Sequence, residues 1–197
     1  MSIPILLLAA GESKRMEGKI KQLLPWKDVT LLENAVKQAN NVADDVYVVL
    51  GSNMDIIKKS LSPPINVIHN PNWKSGMGSS ISVGVRYVLD KHENLDGLLI
   101  MLADQPLIDS GYLKELQEAF REDSLFIVAT AYENRLGVPA VFHHSILPEL
   151  SNLNNNYGAK HIIQKYQRFT KTVFPKGKEV DVDTPKEYKQ LIDNMNL

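Results

Sequence analysis

Short runs of uninterrupted apolar residues recur along the chain, and longer stretches with helical spacing separate them. The runs are 3–10 (IPILLLAA), 45–51 (DVYVVLG), 65–69 (INVIH), 97–102 (GLLIML) and 125–131 (LFIVATA). They do not alternate with polar residues, which is the pattern of strands covered on both faces in a parallel sheet. Between them, 30–39 (TLLENAVKQA) sets Leu32, Ala35, Val36 and Ala39 on one face, and Thr30 with Glu33 makes a capping box at its start. The stretch 79–91 does the same with Ile81, Val85, Val88 and Leu89, and 110–120 with Leu113, Leu116 and Phe120. Strands alternating with helices predict a layered α/β fold with a mostly parallel central sheet flanked by helices.

Past residue 131 the rhythm changes. The segment 136–144 (LGVPAVFHH) is followed by an Asn-rich stretch, with a loop predicted at 154–156 ahead of a helix over 158–166. A strand over 171–174 (KTVF) and a last helix from about 185 complete the pattern. There is no internal repeat and no compositional break, so 1–197 is read as one domain.

Composition narrows the function classes. Hydrophobic residues make 44% and charged residues 23% of the chain, an ordinary globular balance that argues against disorder. The formal net charge of -1 argues against a general nucleic-acid binder, which needs a basic excess, but leaves room for a local anion site. The absence of cysteine excludes disulfides, thiolate metal sites and cysteine nucleophiles, and fits a cytoplasmic location. The apolar start is too short for a membrane span and lacks the basic flank of a signal peptide. His69, His92, His143, His144 and His161 show no metal-ligand spacing. His143 and His144 are expected on opposite faces of a strand.

Candidate chemistry begins where the first run ends. Residues 6–26 (LLLAAGESKRMEGKIKQLLPW) pass from a buried strand straight into Gly11, Lys14, Arg15, Gly18, Lys19 and Lys21. The dinucleotide fingerprint fails because Ser13 and Met16 stand where its later glycines belong, and the phosphate loop fails because Ile20 follows Gly18-Lys19. A glycine after a buried strand still lets backbone N–H groups approach phosphate oxygens, and the cations of this loop can neutralise an anion held there. Lys14 and Lys19 are read as solvated charges. Asp104 directly follows the strand in LLIMLADQP, at the carboxyl end where α/β sheets place ligands. Asp183 precedes TPKE, in which Thr184, Pro185 and Glu187 suit a helix start, so Glu187 is read as a capping residue. Two carboxylates from separate strand ends suit Mg²⁺ held against phosphates. Asp181, on the same strand face as Asp183, stays open as the second ligand. Small residues at 76–80 (GMGSS) leave space for a base edge, and Trp73 is expected to pack.

These pieces together resemble a known family. LLLAAGESKRM with KQLLP, NPNWKSGMGSSISVGV (70–85), LADQP (102–106), GVPAVF (137–142), YGAK (157–160) and DVDTPKEY (181–188) occur in the order found in the molybdenum cofactor cytidylyltransferase group of the MobA-like nucleotidyltransferases. The resemblance implies a Rossmann-like nucleotidyltransferase fold, with 1–110 mainly binding nucleotide and 111–197 mainly binding the acceptor and supplying the second metal ligand. It implies Arg15 and Lys21 as catalytic cations, and Leu8, Ala9, Ala10, Gly11, Gly76 and Ser80 around the nucleotide. It further implies Gly137, Pro139 and Lys160 near the acceptor, and Asp104 and Asp183 as ligands of Mg²⁺. Two departures stand out. Glu17 lengthens the usual Met-Gly-x-x-Lys spacing by one, and Asn155 to Lys160 replace the family's Gly-Asp-x-Gly-Ala-Arg.

The implied reaction moves CMP from CTP to the terminal phosphate of molybdopterin, with a molybdenum hydroxylase as the downstream partner. No membrane or nucleic-acid partner is expected. Transfer to a sugar or polyol phosphate shares the same loop and carboxylates, and a non-catalytic carrier of molybdenum cofactor is the reading from another class.

Overall fold

The first apolar run forms β1 (Ile5–Leu8), and its side chains divide between two cores: Ile5 and Leu7 join one, Leu6 and Leu8 the other. A strand covered on both faces has no solvent side, so the run does not alternate. In this computed structural model, which describes residues 2–61, 65–122, 125–153 and 157–195, a long loop leads from β1 to a small hairpin, β2 (Pro25–Trp26) and β3 (Val29–Thr30). Next come α1 (Leu31–Asn40), β4 (Val46–Leu50), α2 (Met54–Ser60), β5 (Asn66–His69), α3 (Met77–Lys91), β6 (Gly97–Leu102) and α4 (Ser110–Glu122). The chain continues through β7 (Ile127–Tyr132), β8 (Arg135–His143), α5 (Leu147–Ser151), α6 (Ala159–Lys165), β9 (Thr170–Val173) and α7 (Pro185–Met195). The loop predicted at 154–156, with the Asn155 and Asn156 departures, lies outside the described residues.

The central sheet has seven strands in the order β5-β4-β1-β6-β8-β7-β9, and strands from both halves of the chain share it. Only β8 runs against the rest, so the mostly parallel, Rossmann-like architecture holds. One face is covered by α1, α2 and α4, the other by α3, α5 and α6. All four apolar positions predicted for α1 are buried, and a fully buried Val or Leu side chain contributes about 1.5–3 kcal/mol. Its capping box forms as read: Thr30 Oγ1 accepts from the Glu33 N–H at 3.2 Å and Glu33 Oε2 accepts from the Thr30 N–H at 2.8 Å.

Two features place the site. β1 has β4 on one side and β6 on the other, so successive connections leave it in opposite directions and open a crevice at its carboxyl end. A third apolar cluster, Met16, Leu24, Trp26, Leu31, Val182 and Leu191, fastens α7 to the hairpin and the post-β1 loop. The Tyr188 hydroxyl adds a bond to the Pro25 carbonyl at 2.6 Å, which holds the segment before α7 over that crevice.

The largest element unassigned from sequence is β8. Gly137 and Pro139 break its pattern, because proline cannot donate to a ladder. The register against β7 steps from Ala129 opposite Ala140 to Thr130 opposite Gly137, so Val138 and Pro139 occupy an irregularity where that donation is not needed. The expectation for His143 and His144 is corrected. β8 ends at His143 and a 3-10 turn begins at His144, so the two rings adjoin with centroids 4.1 Å apart instead of facing opposite ways.

Candidate functional site

The loop after β1 is bent by three residues with positive φ: Ser13 at 60°, Glu17 at 52° and Gly18 at 83°. Glycine takes the last value without strain, so the inserted Glu17 and Gly18 make one tight exposed turn. The extra residue is thereby turned to solvent. The return of the loop is a 3-10 turn, Lys21–Leu23, whose central Gln22 is buried. Gln22 Nε2 donates to the Ala9 and Gly11 carbonyl oxygens at 2.9 and 3.2 Å, and its Oε1 accepts from the Ser13 hydroxyl at 3.2 Å. The Ser13 oxygen in turn accepts from the Lys21 N–H at 3.1 Å.

This closure aims the Lys21 side chain at two carboxylates. Its Nζ donates to Asp104 Oδ2 at 2.6 Å and to Asp183 Oδ1 at 2.9 Å. Arg15 donates to Asp183 Oδ2 at 2.7 Å from a largely exposed position. Burial works against the Lys21 charge, yet Asp104 and Asp183 outweigh it and raise its pKa. Burial likewise opposes ionisation of Asp183, but Lys21 and Arg15 prevail and hold its carboxyl below the ordinary value. Asp104 Oδ1 is buried without a hydrogen-bond partner among the described residues.

The segment before α7 reaches Asp104 through a backbone bond, Val182 N–H to the Asp104 carbonyl at 2.9 Å. Val182 is buried, and the two flanking aspartates take different partners. Asp183 meets Lys21, whereas Asp181 Oδ1 accepts from Gln105 Nε2 at 2.9 Å. Burial dominates at Asp181 and, with the neighbouring Asp104 and Asp183 charges, raises its pKa. Glu187 completes the predicted cap, with Oε2 accepting from the Asp183 and Thr184 N–H groups at 3.0 and 2.8 Å.

A cavity of about 600 Å³ opens beside Lys21 and Asp104. All six residues expected around a nucleotide, Leu8, Ala9, Ala10, Gly11, Gly76 and Ser80, line it. Gly76, at φ 103° and ψ 177°, starts α3 in a conformation essentially restricted to glycine. Ser80 sits in the first turn of that helix and accepts from Asn70 Nδ2 at 2.9 Å; Asn70 also donates to Ser79. Trp73 packs against the second core as expected, and it also forms part of the cavity wall, as does Lys14.

Other residues lie apart. Gly137 and Pro139 are buried in β8, with the Pro139 carbonyl accepting from Thr130 Oγ1 at 2.6 Å. Lys160 borders a separate polar cavity with Arg135 and Gln164. Sequence reasoning passed over Gln22, Asn70 and Gln105. Each is a buried amide inside a quoted motif, and burial of an amide is not visible in a linear pattern.

The arrangement fits a divalent cation. Asp104 and Asp183 offer oxygens to one point, Asp104 keeps an unpartnered oxygen, and two carboxylates with phosphates and water are a suitable set for Mg²⁺. Among the described residues no cluster of three or more His, Cys, Asp or Glu could hold a metal, so further ligands would come from substrate or water. No helix among them is long and apolar enough to cross a membrane.

Comparison with known proteins identifies the architecture. Nicotine blue oxidoreductase of Paenarthrobacter nicotinovorans is 30% identical over 165 residues, covering 79% of this chain and 78% of that protein. The molybdenum cofactor cytidylyltransferase of Escherichia coli is 30% identical over 93 residues, 46% of this chain and 48% of the relative. The crystal structure of Rv0371C from Mycobacterium tuberculosis in complex with manganese superposes with a TM-score of 0.77 at 23% identity, covering 98% of this chain and 99% of that one, a likeness of fold. Residues 5–169 match the MobA-like NTP transferase domain, and the chain belongs to that family.

Proposed function

We propose that the protein is a Mg²⁺-dependent cytidylyltransferase that moves CMP from CTP to the terminal phosphate of molybdopterin. The observation that supports it is the convergence of Lys21, Asp104 and Asp183 at the edge of a cavity walled by Ala9 to Gly11. A phosphate oxygen of the acceptor attacks the α-phosphorus of CTP, the bond to the β-phosphate oxygen breaks, and pyrophosphate leaves with the electron pair. Such a displacement needs positioning and charge neutralisation more than a strong base. In this reading Lys21 and Arg15 neutralise the leaving group, and Asp104 and Asp183 hold the metal. When bound, Mg²⁺ supplies Lewis-acid stabilisation of the phosphate charge. The partner choice of Asp181 favours Asp183 as the second ligand. Residues 1–110 serve mainly the nucleotide, and 111–197 the acceptor, through Gly137, Pro139 and Lys160. CTP is favoured by the Ala9-Ala10-Gly11 form of the loop and by the name of the E. coli relative. A cytoplasmic location belongs to the same reading, since the reaction draws on a nucleoside triphosphate.

The test is pyrophosphate release by the purified protein with Mg²⁺, each of the four nucleoside triphosphates and molybdopterin. Turnover with CTP and molybdopterin is expected. Turnover with GTP and not CTP overturns the nucleotide, and turnover only with a sugar or polyol phosphate overturns the acceptor. Pterin binding without any turnover gives the carrier reading instead.

A further inference from the structure

The buried carboxamide of Gln22 belongs to no motif role, yet it makes three hydrogen bonds within the loop that walls the cavity. Its orientation is fixed by chemistry. Two of its partners are carbonyl oxygens, which only accept, so the NH₂ end must face them, and the Ser13 hydroxyl can donate to the remaining oxygen while accepting from the Lys21 N–H. Across a trans peptide the N–H points opposite to the C=O of the same unit. With the Ala9 and Gly11 carbonyls turned toward Gln22, the N–H groups of Ala10 and Glu12 are turned away from it. Neither N–H has an acceptor among the described residues, and both residues line the cavity.

We infer that Gln22 is the positioning residue of an anion cradle: it sets the peptide planes so that the Ala10 and Glu12 N–H groups donate to triphosphate oxygens. This deepens the cytidylyltransferase reading and rests on it. Through Ser13 the same carboxamide anchors the Lys21 backbone, so cradle and cation are set by one buried group. Ground-state and transition-state phosphate oxygens both use these donors, so their loss acts on binding of the nucleotide more than on the chemical step.

The experiment compares wild type with Gln22→Leu and Gln22→Glu by calorimetric binding of CTP and of inorganic triphosphate, thermal melting, and steady-state kinetics. Q22L is expected to weaken both ligands about tenfold and to raise KM for CTP by more than it lowers kcat, with the acceptor KM held. Q22E is expected to lose more, because a carboxylate then faces two carbonyl oxygens. A role confined to packing lowers the melting temperature and leaves KM for CTP unchanged, which overturns the inference. Should Q22L not fold, Gln22→Met, of similar length, carries the same comparison. Wild type that binds neither CTP nor triphosphate overturns the nucleotidyl reading together with the cradle. Tight wild-type binding with unchanged affinity in the variant overturns the role of Gln22 alone.

Discussion

Lys21→Met is the perturbation with the sharpest expected sign. The ammonium lies 2.6 Å from Asp104 and 2.9 Å from Asp183, the point on which both carboxylates converge. At an effective dielectric of 20, each contact carries about 6 kcal/mol of gross attraction. Desolvation and partial exposure offset most of it, and about 2 kcal/mol is a reasonable net for a charged bond of this kind. A divalent ion entering without nucleotide must displace that ammonium. Removing it should tighten Mn²⁺ binding to the nucleotide-free protein by about 30-fold, at 1.4 kcal/mol per factor of ten. Turnover should move the other way and fall by about a hundredfold or more, because in the proposed reaction Lys21 neutralises the leaving pyrophosphate. Free Mn²⁺ measured by electron paramagnetic resonance during titration reads the affinity directly. Unchanged or weaker Mn²⁺ binding in K21M refutes the reasoning. In the double variant with Asp104→Asn the gain should vanish.

Asp104→Asn keeps shape while removing the charge, so turnover should drop by about a hundredfold or more with little change in melting temperature; Asp183→Asn should lose less and Asp181→Asn little. A larger loss in D181N than in D183N moves the second ligand. Because the folded pKa of Asp181 is raised above its unfolded value, its ionisation destabilises the fold as pH rises through about 4 and beyond. D181N should therefore be more stable than wild type at pH 7 and indistinguishable near pH 3, as read by denaturant titration; an advantage that persists at pH 3 contradicts the linkage. Gly51→Ala would set a methyl 2.4 Å from Trp73 Cβ and 2.8 Å from the Ala10 carbonyl oxygen. It should cost about 1–3 kcal/mol in thermal melts and weaken CTP binding, and a wild-type melt would show that the wall yields freely.

Strands β1, β4 and β6 could be read because each is covered on both faces, and such a strand announces itself as an unbroken apolar run. β6 spans the predicted 97–102, and α1 and α4 start within a residue of their predicted positions, because capping and periodicity are local signals. α2 was missed for the opposite reason: only Ile57 of its seven residues is fully buried, too little to show a period. β8 hid behind Gly137 and Pro139, whose place in the sheet depends on a register step against β7. At the site, the cationic loop after β1 and the carboxylate of Asp104 at a strand end were legible as residue types, whereas the preference for Lys21 over Lys14 and Lys19 came from the family resemblance. The split between Asp181 and Asp183 was not, since equal spacing puts both on one face and only Gln105 on one side and Lys21 on the other separates them. The amides Gln22, Asn70 and Gln105 act through backbone and side-chain partners that no local pattern reveals.

The central position of β1 has a consequence for how the chain is made. β1 leaves the ribosome ahead of both its neighbours in the sheet, since Ile5 pairs with Val46 on one edge and with Leu99 on the other. At a synthesis rate of about 5–20 residues per second, the second edge waits roughly 5–20 s for its partner. During that interval an apolar strand presents open backbone groups to any other strand, which makes the nascent chain dependent on dilution or chaperoning. The contacts of Lys21 come later still, since they join residues 83 and 162 positions apart in sequence. A polypeptide halted before residue 183 can already hold most of its sheet and still lack one of the two carboxylates that grip Lys21.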